Sequence, residues 1–185
     1  MATAIIIHGA FGHSKENWFP WLKKELEKIG YAVFVPDFPT PENQSLQNWL
    51  KIFKQYEQKL TKDSFVIGHS LGVPFLLSVI EKLSKPIKAA FFAAGFAGQL
   101  GNPKFDKLNK SFLKKSFDWK KIKKNCQYFY VFYSDNDPYV SKEKSEELIR
   151  NLNAKAIFIK DAGHFNKKAG YTTFNQLLER IKTQD

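Results

Sequence analysis

Ser70, His164 and a carboxylate from the stretch around Asp137 are the residues whose types and spacing suit nucleophilic catalysis. Ser70 stands in GHSLG, with glycines two positions to either side of it. The apolar run SFVIGH leads in, and a helix-like run from Leu71 leads out. A chain that reverses so sharply from strand to helix strains its central residue and thrusts that side chain outward. The glycines let neighbouring backbone approach with no Cβ in the way. The following helix aims unpaired N–H groups at negative charge developing beside the hydroxyl. A serine placed this way becomes a nucleophile once a base adjoins it.

The chain has four histidines. His8 ends the first strand-like run, His13 follows in its loop, and His69 adjoins Ser70. Consecutive residues leaving a strand point apart, so His69 reads as a structural part of the elbow. The order serine, acid, histidine used by α/β-hydrolases requires a base after the serine. Only His164, in DAGHFN, satisfies it, with Gly163 freeing the loop to turn the ring inward. In open parallel sheets the functional loops gather at the strands' C-terminal ends, so the acid is expected from SDNDPYV. Asp137 is favoured because Pro138 extends and stiffens that loop. Asp135 is the alternative, though suited to a local turn bond; Asp161 shares His164's own loop, three residues away.

The run HGAFGHS adds a second loop to the same region. Gly9 and Gly12 would let its backbone pass the nucleophile and present the Ala10 N–H. Together with the Leu71 N–H it would form an oxyanion hole, each donor worth about 3 kcal/mol. Phe11, Trp18, Phe38 and Phe96 are the candidates for an apolar substrate pocket. Neither a dinucleotide fingerprint nor a phosphate-binding P-loop fits, and no spacing suggests a metal site. The chemistry implied needs no cofactor.

Elements must bring these scattered residues together. Six apolar, β-branched or aromatic runs (3–8, 31–36, 64–69, 87–94, 127–133 and 154–160) alternate with amphipathic stretches. That pattern predicts an α/β fold, a six-stranded, mainly parallel sheet with helices on both faces. Helices are expected from Pro20 to Gly30, after Ser45, from Leu71 to Leu83, from Ser141 to Asn151 and from Tyr171 to Ile181. The irregular stretch is 95–124, long enough to hold a short helix or a partial lid.

Composition bounds the rest. A chain of 185 residues, 43% hydrophobic and 25% charged, suits one globular domain spanning residues 1–185. No apolar run reaches the roughly 20 residues of a membrane span, and the single cysteine, Cys126, favours a reducing, cytoplasmic setting. The net charge of +11 concentrates at 104–124, where nine lysines meet two aspartates among Phe105, Phe112, Phe117 and Trp119. This segment has no arginine, whose forked guanidinium suits phosphate. A solvated lysine-rich face is therefore expected, without a nucleic-acid partner. The partner expected is a small ester substrate; oligomeric state is left open.

With these pieces placed, the chain resembles the small serine hydrolases related to retinoblastoma-binding protein 9. The resemblance rests on HGAFG followed by NWFPWL, on VPDFPTPENQSLQNWL, VIGHSLG, SDNDPYV and DAGHFN, in that order along nearly the whole length. It implies a compact α/β-hydrolase core that begins at the strand bearing the HG loop and carries no large cap domain. It also implies a Ser70, Asp137 and His164 triad and carboxylesterase-like serine hydrolase activity. A catalytically idle domain used as a binding module is the alternative; it would be marked by a missing triad member, and none is missing. The Leu-x-Cys-x-Glu contact that gives the family its name does not transfer, since Cys126 lies in KKNCQYF.

Overall fold

In the computed structural model, which describes residues 2–183, the strands alternate strictly between two apolar layers. Ile5, Ile7, Val66, Ala90, Phe92 and Val131 face one layer; Ala4, Ile6, Phe65, Ile67, Phe91 and Phe132 face the other. A period of two with both sets apolar is what a sheet covered on each face requires. Met1, Gln184 and Asp185, counted in the expected domain, lie outside the described residues.

The strands are β1 (Thr3–Ile7), β2 (Ala32–Phe34), β3 (Phe65–His69), β4 (Ile87–Ala93), β5 (Cys126–Tyr133) and β6 (Lys155–Phe158). They form one sheet in the order β2-β1-β3-β4-β5-β6. Every pairing is parallel. Helices α1 (Phe19–Lys28) and α8 (Asn175–Lys182) cover one face through Leu22, Leu26, Leu177, Leu178 and Ile181. The other face is covered by α2 (Leu46–Glu57), α3 (Gly72–Ile80) and α7 (Lys142–Leu152), through residues such as Trp49, Leu76 and Leu148. Ser45 caps α2, its hydroxyl accepting from the Asn48 N–H. Among the described residues no helix is long and apolar enough to cross a membrane.

Three expectations need correction. The edge strand β2 is three residues long and pairs with β1 alone; Pro36, without an N–H, cannot prolong its ladder. The other edge strand, β6, is mostly exposed. The last helix starts at Asn175. Before it, Asn166 caps a short 3₁₀ turn at Lys167–Ala169 that ends on left-handed Gly170. Phe174 is still buried, stacked on Phe165.

The irregular stretch holds three short helices: α4 (Pro103–Leu108), α5 (Lys110–Leu113) and α6 (Trp119–Asn125). Phe112 and Ile122 are fully buried, and Phe105, Phe117 and Trp119 pack against the same core. The lysines turn outward, except Lys115, which is partly buried and pairs with Glu81 at 2.5 Å.

Candidate active site

The strand-to-helix reversal is as tight as GHSLG requires. Ser70 sits at φ +53°, in the left-handed region. Its N–H reaches the Ala93 carbonyl at 3.0 Å, and its carbonyl accepts from Val73 N at 2.9 Å. A Cβ on Gly72 would lie 2.6 Å from the Ile7 carbonyl oxygen, and one on Gly68 would lie 3.1 Å from the Gly72 carbonyl oxygen. Only glycine lets α3 press onto β1 and β3 this closely. Gly9 behaves likewise, since its Cβ would stand 3.0 Å from that of Ser70. The loop after β1 therefore passes directly over the serine, with Ala10 in the wall of the same cleft.

His8 holds that loop down. Its Nδ1 donates to the Gly9 carbonyl at 2.7 Å, and its Nε2 accepts from Phe38 N at 2.9 Å, which fixes the tautomer. Burial lowers its pKa, keeping the ring neutral. In the sequence His8 only ends a strand-like run; in the fold its two contacts join segments 30 residues apart.

Asp137 and His164 meet as the chain order suggests. His164 Nδ1 lies 2.8 Å from Asp137 Oδ2 and 3.0 Å from Oδ1. Asp137 Oδ1 also accepts from the Tyr139 and Val140 N–H groups, at 2.9 and 3.1 Å. An ionised carboxylate only accepts, so Nδ1 carries the proton and Nε2 presents its lone pair. Asp135 is placed elsewhere, its Oδ1 accepting from Asp161 N at 2.9 Å. That bond belongs to a clasp absent from the sequence reading: Ser134 Oγ accepts from Ala162 N at 3.0 Å and Asn136 Oδ1 from Gly163 N at 2.6 Å. Three successive amides of the histidine loop are thus held by three successive side chains of the acid loop. The polar run SDND was its only signal.

His69 is tied to His164 from the other side. Its Nε2 donates to the His164 carbonyl at 2.8 Å, and the two rings lie 4.9 Å apart. Among the described residues its buried Nδ1 has no hydrogen-bond partner, as befits a bare lone pair. Desolvation foremost, then the neighbouring His164, lowers its pKa to about 3. Unfolded, the same imidazole binds a proton below about pH 6.5, so acid favours the unfolded chain over the window between these values. His69 alone is expected to remove about 2 kcal/mol of stability between about pH 6.5 and pH 5. Unfolding free energies from urea at the two pH values should differ by about this much less in His69→Gln than in the parent.

Ser70, His69 and His164 open into a cleft of about 910 Å³ at the C-terminal ends of the strands. Of the four pocket candidates only Phe11 lines it, 61% exposed and left-handed, its N–H bonded to Thr40 Oγ1 at 2.7 Å. The other three are core residues. Trp18 is fully buried and donates from Nε1 to the Phe165 carbonyl at 2.8 Å. Phe38 stacks on Trp49, with 4.7 Å between ring centres, and Phe96 is fully buried in the core of the α2/α3 face. Aromatic content alone cannot distinguish a ring that closes the core from one that lines a cleft. The apolar lining comes instead from Leu100, Phe105, Leu108 and Tyr139, the last set edge-on to the His164 ring at 4.9 Å.

Comparison with known proteins bears on the family and the fold. The family model described as serine hydrolase matches residues 4–183. The putative hydrolase YdeN of Bacillus subtilis (strain 168) is 32% identical over 170 residues, covering 91% of this chain and 88% of its own. Serine hydrolase RBBP9 of Rattus norvegicus is 26% identical over 183 residues, covering 97% and 94%. The crystal structure of the B. subtilis ydeN product superposes with a TM-score of 0.93 at 28% identity, covering 100% of this chain and 98% of that one.

Proposed function

The chain belongs to the serine hydrolase family, and from that premise we propose that it cleaves carboxylic esters, or related amides and thioesters, through an acyl-enzyme formed on Ser70. The observation that carries this reading is the Asp137-held His164 ring sharing one cleft with Ser70 at the elbow. Ser70 Oγ attacks the substrate carbonyl carbon while its proton passes to His164 Nε2. The Ala10 and Leu71 N–H groups receive the oxyanion. The tetrahedral intermediate collapses by breaking the bond to the leaving oxygen, which takes the proton from His164. Water then repeats the sequence on the acyl-enzyme, giving the acid and free Ser70. Asp137 stabilises the imidazolium throughout by accepting from Nδ1.

A fluorophosphonate probe tests the reading directly. One adduct is expected, located by peptide mass analysis on the peptide bearing Ser70 and lost on prior heat unfolding. A folded protein that stays unlabelled at Ser70 overturns it.

A further inference from the structure

The cleft has two walls of different chemistry, because each is built on a different face of the sheet. Leu100, Phe105 and Leu108 come from the segment that packs with the α2/α3 layer. Glu16 and Asn17, from the loop after β1, stand with Asn166 and Lys168, from the loop after β6. Those two loops belong to the α1/α8 layer and are stitched together: Lys167 N donates to Asn17 Oδ1 at 2.8 Å, and Trp18 Nε1 to the Phe165 carbonyl. This wall is therefore fixed, and apart from Ala10 and Phe11 its side chains are polar.

The direction of catalysis assigns the walls. His164 must give its proton to the leaving oxygen, so the alcohol half of an ester lies on the side of the histidine loop. That loop runs straight on into Asn166 and Lys168. The acyl half is left with the apolar wall.

Hydrogen-bond capacity then narrows the alcohol. Asn166 Oδ1 accepts from Ala169 N at 3.0 Å and Asn17 Oδ1 from Lys167 N, so both carbonyl oxygens are already engaged and the Asn166 N–H groups remain as donors. The Asn17 amide bonds the Glu16 carboxylate, which is half-buried with its pKa raised chiefly by desolvation. The wall thus offers donors from Asn166 and Lys168 beside an acceptor on Glu16. Glu16 repels an anion and Lys168 repels a cation; Lys104, exposed at the start of α4, belongs to the other segment. Neutral hydroxyls, which both donate and accept, satisfy all three groups.

We propose that the substrate is an ester of an apolar acyl chain with a neutral polyhydroxy alcohol of the glycerol or sugar type, the alcohol seated on Glu16, Asn166 and Lys168. The inference rests on the serine hydrolase reading above.

The test measures kcat/KM for three hexanoyl esters: methyl hexanoate, 1-monohexanoylglycerol and the hexanoyl ester of glycerol 3-phosphate. The glyceryl ester is expected to exceed the methyl ester by about tenfold, as one or two hydrogen bonds to charged or amide groups allow. Lys168→Met, and Asn166→Asp, which keeps the cap on Ala169 but loses the amide donor, should each cut that ratio at least about threefold. Phe105→Ala should leave the ratio in place while lowering the preference for hexanoyl over acetyl glycerol. A glyceryl-to-methyl ratio near one, a ratio unmoved by both polar-wall variants, or faster turnover of the phosphate ester overturns the polyol assignment while Ser70 still labels. Absence of both turnover and labelling overturns it together with the hydrolase reading.

Discussion

Alanine at Ser70 is expected to lower kcat for p-nitrophenyl acetate by about 10⁶-fold, the size of loss seen when a triad nucleophile is removed. The base and acid remain, but the attacking oxygen is gone. The same position separates activity from stability. Ser70 is held at φ +53°, where a residue with a Cβ is strained by about 1–2 kcal/mol. Alanine keeps that strain, whereas glycine relieves it. Ser70→Gly should therefore be as inactive as Ser70→Ala yet unfold at higher urea, by about 1 kcal/mol. Residual turnover within tenfold of the parent in either variant would remove Ser70 from the mechanism. Equal urea midpoints would show that the elbow stores no strain.

Asparagine at Asp137 is expected to cost about 10⁴-fold in kcat with the fold intact, and the loop geometry gives the reason. The Tyr139 and Val140 N–H groups both donate to Oδ1, so an asparagine must keep its carbonyl oxygen there. Its amide nitrogen then takes the Oδ2 position, 2.8 Å from His164 Nδ1. Facing an N–H, Nδ1 must be bare, which moves the ring proton to Nε2 and leaves no base for Ser70. Circular dichroism should match the parent while the rate collapses. A loss of less than tenfold would mean that another group fixes the tautomer.

Much of the architecture was legible because burial leaves a periodic trace. Six apolar runs alternating with amphipathic ones could bury both faces only as a covered parallel sheet, and Pro20, Ser45 and Ser141 marked helix starts within a residue or two. Ser70 was legible because its glycines have steric work, and His164 because it is the one histidine downstream. The pocket was not legible. Trp18, Phe38 and Phe96 have the composition of a substrate pocket, but a large ring gains more by filling a core void than by facing water. Phe105 and Leu108 lie in a stretch whose path depends on distant anchors: Gln44 to Asn109, and Leu46 N to Ser111 Oγ at 3.0 Å.

The sequence by itself determined the strand alternation, the elbow at Ser70 and the order in which acid and base follow it, since each is written in local spacing. Pro138 already favoured Asp137 over Asp135 in the sequence, but only the tertiary structure decided that Asp135 and its neighbours clasp the histidine loop. The clasp rests on partners 26 to 28 residues away, which local preferences do not reveal. The same holds for His8 and His69. Both are histidines at strand ends in the sequence; burial makes both neutral, and partners that only folding supplies, the Phe38 N–H for His8 and the His164 carbonyl for His69, make them positioning groups.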